Sequence, residues 1–111
     1  MGNMLIHQNT WFWGRTETIV IEGGKGLCSV SVDNDDTSAA WIHGLSVLPE
    51  YRRKGLGRKL LQTAQFRAGL MGAKVVYLKA DPDSFVAEWY YREGFRQAYA
   101  EDGNLIVMRK E

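Results

Sequence analysis

The hydrophobic pattern of this chain changes period at one point, and a basic, glycine-bearing loop marks the change. Residues 40–48 read as a strand that ends at Pro49. Beyond the loop, Leu56, Leu60, Leu61, Ala64, Ala68 and Met71 recur at the spacing of one helix face. Gly72 suits the C-terminal cap of that helix. A strand that feeds a helix through so short a connection starts a β-α-β unit. Its second strand follows at residues 75–80, a short apolar run of the buried type.

The flanking segments complete the pattern. Residues 18–22 are β-branched, and residues 27–32 alternate valine with serine around the turn Gly23-Gly24-Lys25-Gly26, which predicts a hairpin. Residues 33–38 read as a polar turn. Asp81-Pro82-Asp83-Ser84 is a loop that ends in a good helix N-cap, and a helix over 85–93 stops at Gly94. Residues 95–100 and 105–109 predict a last hairpin around Glu101-Asp102-Gly103-Asn104. The order is three strands, helix, strand, helix, two strands. It predicts an α+β fold, with a mixed, α/β-type central sheet and two main helices packed on it. The 111 residues, 45% of them hydrophobic, make one domain over 1–111 with a core that needs no staples. Residues 1–17 stand apart as an atypical N-terminal segment.

Composition excludes several classes. Fourteen basic against 13 acidic residues give a net charge of +1, which speaks against disorder and against nucleic-acid binding through global charge. One cysteine, Cys28, cannot form an internal disulfide and reads as a small core residue. With only His7 and His43 as histidines and no cluster of carboxylates, no metal site is expected. The start lacks a basic, then apolar, leader, and no stretch approaches the length of a membrane span. A cytoplasmic protein without membrane or nucleic-acid partners is the expectation.

The loop itself carries the chemistry. Five basic residues, Arg52, Arg53, Lys54, Arg58 and Lys59, surround Gly55 and Gly57. Glycines let backbone approach a ligand, and the first amides of a helix lack internal partners and favour anions. A pyrophosphate fits such a cradle, because consecutive amides can contact two linked phosphates. A basic run is more often only a solvated face. Here the preceding strand, the proline exit and the amphipathic helix after it favour the cradle. Leu60 stands where a dinucleotide fingerprint would have its third glycine, and the lysine-Ser/Thr end of a nucleotide P-loop is missing.

The stretch closely resembles the GNAT superfamily of acyl-coenzyme A-dependent N-acyltransferases. Leu45, Val47, Pro49, Arg52, Gly55 and Gly57 match its strand-loop-helix signature, and Tyr90-Tyr91-Arg92-Glu93-Gly94-Phe95 matches the Tyr-x-x-x-Gly-Phe that ends its next helix. The resemblance covers roughly residues 18 to 109. It implies acetyl coenzyme A as co-substrate and a small-molecule or protein amine as acceptor. The amides of Arg53, Lys54, Gly55, Leu56, Gly57, Arg58 and Lys59 would hold the pyrophosphate, and the strand edge at Leu45, Ser46 and Val47 would pair with the pantetheine arm. The amine would attack the thioester directly, with Tyr90 protonating the departing thiolate. Counting back from Gly94-Phe95 selects Tyr90, the preferred residue; counting forward from Ser84 and Ala87 selects Tyr91.

Other roles stay open at this level. His43 is the candidate base or water-relay residue, or a histidine packed on a sheet face. Asp81 is a weaker candidate, and loop capping suits it better. Family members have a strand and two helices before the first hairpin, whereas only about 17 residues precede Thr18 here. The acceptor side is therefore expected to be open, or closed by a partner subunit in a homodimer. Trp11, Phe12 and Trp13 would form that interface or pack over the chain's own sheet. The rival function is a non-catalytic GNAT-like module that binds coenzyme A or a protein.

Overall fold

The computed structural model describes residues 3–101 and 105–111. It contains seven strands, β1 (Met4–Thr10), β2 (Gly14–Ile21), β3 (Gly26–Asp33), β4 (Asp36–Val47), β5 (Val75–Ala80), β6 (Arg96–Glu101) and β7 (Leu105–Lys110). Two α-helices, α1 (Leu56–Leu70) and α2 (Phe85–Arg92), and one 3-10 turn (Pro49–Tyr51) complete it. The strands form one sheet in the order β1-β2-β3-β4-β5-β7-β6, parallel at β4–β5 and antiparallel elsewhere. The mixed sheet and both helices stand as the sequence predicts.

Differences lie at the front of the chain. Residues 4–10 are a strand, and β2 starts at Gly14 rather than residue 18. Trp11, Phe12 and Trp13 are the turn of the β1–β2 hairpin, closed by the bonds Trp11 N to Gly14 O and Gly14 N to Trp11 O. The β1 sequence showed no alternation, because six of its seven residues are exposed and no buried face disciplined the choice of side chains. The polar turn is also shorter than expected, since β4 already begins at Asp36. Asp102, Gly103 and Asn104 of the last hairpin loop lie outside the described residues.

The core lies on one face of the sheet. Ile19 and Ile21 of β2, Cys28, Val30 and Val32 of β3, Ala40 and Ile42 of β4 and Leu78 of β5 meet Leu60, Leu61, Ala64 and Ala68 of α1. These α1 positions repeat on one helix face, so the helix buries a stripe while its opposite side meets water. Glu17 enters this face from β2 and is only 3% exposed. It accepts from Arg67 of α1 at Nε (2.6 Å) and Nη2 (3.0 Å) and from Gln8 of β1 at 2.6 Å. The Arg67 hydrogen bonds hold the Glu17 carboxyl below its usual pKa, against the opposing effect of burial. The pair ties the first hairpin to the helix.

The other face of the sheet is built differently. Cross-strand partners form a row Asn9–Thr16–Ser31–Trp41–Tyr77–Arg109–Arg96, with a second row His7–Thr18–Ser29–His43 beside it. The rows are hydroxylic at one end and aromatic and cationic at the other, with Trp41 stacked on Tyr77 at 5.1 Å.

Candidate active site

The site begins where two neighbouring strands part. The parallel β4–β5 pairing consists of Ala39–Val75, Ala40–Val76 and Trp41–Tyr77. Past Trp41, β4 runs on to Val47 without β5, while β5 stays paired to β7. The cause is on the opposite edge of β4. Leu27 faces Ser46 and Ser29 faces His43, so Gly44 and Leu45 together oppose Cys28 in a β-bulge. Gly44 has φ of +68°, a conformation that glycine adopts without steric cost. The extra residue also exchanges faces. His43 lies on the uncovered face, whereas Leu45 and Val47 turn onto the helix side and pack against the core.

The open edge leads to the loop. Arg52 donates from Nε to the Val47 carbonyl at 2.9 Å and so folds the loop back on the strand end. Arg53 stands at φ +64° and Gly55 at φ +78°. Two left-handed residues so close together turn successive amides toward one side, as in an anion nest. An arginine in this region costs about 1–2 kcal/mol, a local strain that points to a site. Gly55 precedes α1 with no side-chain cap, and the first helical turn carries no acidic residue. The amide of Lys59 bonds to Gly55 O at 3.1 Å, so the run of open amides ends at Arg58. Gly57 is helical, and a Cβ there would meet Trp89 at 3.8 Å and Val47 at 3.9 Å, ordinary contacts. Packing therefore does not demand glycine at this position.

The five cations do not all aim at the loop. Arg58 pairs with Glu93 at 3.1 Å, and Lys54 lies over the Tyr51 ring at 5.8 Å. Leu56 is buried in the core, Lys59 is half-buried, and Ser46 is exposed beside Leu45. The anion field here is mainly that of backbone amides and the helix end.

α2 supplies the other wall. Ser84 caps it by accepting from Ala87 N at 3.3 Å, as the sequence suggests. Asp81 caps the loop, with Oδ1 accepting from Asp83 N at 3.0 Å. Tyr90 is 7% exposed, against Trp89 and Phe95, with ring centroids at 5.2 and 5.9 Å. Tyr91 is 55% exposed under the Arg96 guanidinium, so the two tyrosines point to different surroundings. Burial pushes the Tyr90 hydroxyl up to about 12, with a smaller push from Cys28. Burial likewise pushes the Cys28 thiol up to about 12. Cys28 is the residue facing the bulge, and Tyr90 is buried in the same core. Sequence reasoning missed Gly44 and Trp89; a glycine interrupting a strand pattern was the signal for the first.

On the uncovered face, His43 is exposed and its Nε2 lies 2.9 Å from Ser31 Oγ. Trp11 folds back to donate from Nε1 to Thr16 at 3.3 Å and stacks on Trp13, while Phe12 stands 97% exposed at the turn.

Comparison with known proteins agrees with this geometry. Residues 8–97 match the model of the acetyltransferase (GNAT) domain. An uncharacterized N-acetyltransferase of Schizosaccharomyces pombe is 43% identical over 68 residues, 59% of this chain and 47% of that one. The match thus spans about half the length of that relative. A GNAT family acetyltransferase from Elizabethkingia anophelis, solved with acetyl-CoA bound, superposes with a TM-score of 0.72 over 98% of both chains at 16% identity. The PaiA N-acetyltransferase from Thermoplasma acidophilum, solved in complex with coenzyme A, gives 0.72 at 22% identity, covering 86% of this chain and 59% of that one. The family model covers most of the chain, and the chain belongs to the GNAT family of acetyltransferases.

Proposed function

We propose that the chain is an N-acetyltransferase that moves an acetyl group from acetyl coenzyme A to a primary amine by direct attack. One observation carries the reading: the free edge of β4 leads to an uncapped helix start, above a core that buries Tyr90 with its proton held. The amides from Arg53 to Arg58 would hold the pyrophosphate, with Gly57 leaving room between Val47 and Trp89. The edge at Leu45, Ser46 and Val47 would take the pantetheine arm as an added strand.

The transfer then needs no protein nucleophile. The amine lone pair forms the N–C bond and the C–S bond breaks. The Tyr90 proton passes to the departing sulfur, and Tyr90 recovers one from the former ammonium through water. A hydroxyl raised to about 12 holds its proton at neutral pH and so can act only as the donor.

The test is Gly57→Trp, read by calorimetry with acetyl coenzyme A and by thiol release with a panel of amines. Loss of both binding and turnover is the expected outcome. Binding to nucleic acid that weakens steeply with salt and survives the substitution would overturn it. A second reading, a coenzyme-binding module without turnover, draws on the uncovered face, where no described helix closes an acceptor pocket. Tight binding with no thiol release from the unmodified protein would favour that reading.

A further inference from the structure

The uncovered face contains a hydrogen-bonded chain that crosses four segments. Trp11 Nε1 lies 3.3 Å from Thr16 Oγ1, Thr16 Oγ1 lies 3.0 Å from Ser31 Oγ, and Ser31 Oγ lies 2.9 Å from His43 Nε2. Its members come from the β1–β2 turn, β2, β3 and β4. The neighbouring row is separate, since Thr18 and Ser29 bond to each other at 3.2 Å.

An indole N–H donates and never accepts, so Thr16 accepts from Trp11. The Thr16–Ser31 and Ser31–His43 bonds can each run either way by geometry alone. With the Thr16 proton on Ser31 and the Ser31 proton on His43 Nε2, all three bonds run head to tail, the arrangement in which each bond polarises the next. The reverse direction makes two donors converge on Thr16 and leaves its proton without a partner in the chain. A neutral imidazole that accepts at Nε2 carries its proton on Nδ1.

We propose that the Trp11–Thr16–Ser31 chain positions His43 as an Nδ1–H donor that orients the acceptor through an oxygen atom next to its amine. The inference rests on the acetyl-transfer reading and replaces the expected base with a binding group. His43 lies two residues past the last β4–β5 pair and one before the bulge, at the mouth of the parted strands. In this form neither ring nitrogen has a free lone pair to take the ammonium proton, which leaves directly to water on the uncovered face. The favoured acceptor class is an amine bearing a neighbouring carbonyl, as in an amino-acid amide or a peptide, rather than a simple alkylamine. The stacked Trp41 and Tyr77, at the closed end of the cleft, offer an aromatic surface flanked by Lys79 and Arg109 to the rest of such a molecule.

The tautomer can be measured without substrate. Ring-nitrogen NMR on the neutral form, with His7→Gln to assign the only other histidine, is expected to show the His43 proton on Nδ1. Ser31→Ala should give a mixture of tautomers and Ser31→Thr should restore Nδ1–H. A proton on Nε2 in the unmodified protein, or no change in Ser31→Ala, overturns the proposal. With phenylalanine amide against phenethylamine, kcat/KM referred to the neutral amine should favour the amide about ten-fold, the worth of one hydrogen bond, and His43→Phe should erase that preference. Equal values for the two neutral amines would also refute it. Failure of both amines and of every other amine to release thiol would instead refute the acetyl-transfer reading, whatever the tautomer.

Discussion

Gly57→Ala should move stability and cofactor affinity in opposite directions. Position 57 is the second residue of α1, outside the left-handed region of φ. The added methyl would meet Trp89 Cη2 at 3.8 Å and Val47 Cγ2 at 3.9 Å, where nothing must shift. Replacing a helical glycine by alanine then stabilises by about 0.5–1 kcal/mol. For a domain of this size, that is a rise in Tm of roughly 2–8 °C. The same methyl occupies the gap between β4 and α2, through which a phosphate would approach the amides. Losing one hydrogen bond to a charged group costs about 1.5–3 kcal/mol, or roughly a ten- to hundred-fold weaker Kd. Thermal unfolding and calorimetry with acetyl coenzyme A give both numbers on one preparation. A destabilised variant would show that position 57 is glycine for reasons of fold. A stabilised variant with unchanged affinity would show that no phosphate comes near it.

The remaining expectations concern side chains that the fold buries. Tyr90→Phe should lower kcat by on the order of a hundred-fold while KM for acetyl coenzyme A and Tm stay close to their original values, and Tyr91→Phe should leave kcat alone. Stability should fall at high pH. Both Cys28 and Tyr90 are raised to about 12, so each contributes nothing below its unfolded value and favours unfolding as pH rises toward the folded one. The loss should begin near the ordinary thiol value and reach about 2.7 kcal/mol per pH unit above the ordinary tyrosine value, with Cys28→Ala halving that slope in urea titrations. Glu17→Ala should cost about 2–3 kcal/mol in urea unfolding. That is below the usual cost of orphaning a buried charge, because the Arg67 side chain keeps 23% of its exposure and can rehydrate. Glu17 is lowered, so its contribution is present above the unfolded carboxyl pKa and vanishes as pH falls through the folded one. Glu17→Gln should therefore flatten the acid limb of stability.

The helices and inner strands were readable because each has a buried face that enforces a period. Leu56, Leu60, Leu61, Ala64 and Ala68 are buried together, and the alternation of Cys28, Val30 and Val32 with serines marks a strand with two unlike faces. β1 was not readable for the converse reason, since most of its residues face water and nothing selects them at a period of two. The loop glycines were visible as chemistry, but which amides stay open depends on where the helix closes its first bond, and only the fold locates that at Lys59. The Glu17–Arg67 pair, 50 residues apart, depends on tertiary contact and has no local signature. Tyr90 and Tyr91 are equal in composition; the rotation of a two-turn helix buries one and exposes the other.

A parted sheet is ordinarily a liability, because unpaired strand edges invite other chains. Here the exposed edge is internal to the sheet rather than at its rim. β5, β7 and β6 lie beyond it in the sheet. The other side of β4 is meanwhile held firmly. β3 pairs with it up to Gly26–Val47, Leu48 N bonds to Lys25 O at 2.9 Å, and Arg52 holds the Val47 carbonyl. A Cβ at Gly26 would lie 2.9 Å from Ser46 O and 3.2 Å from Leu60, so the strand cannot slide toward β3 either. The edge is thus rigid before any ligand arrives, and binding would order little of the protein, which is how a preorganised slot keeps its affinity. By this argument Gly26→Ala, on β3 across from the Val47 end of β4, should weaken acetyl coenzyme A binding through displacement of β4. Gly24→Ala, two residues earlier with nothing within 4 Å, should strain only the turn at φ +70° and leave binding intact.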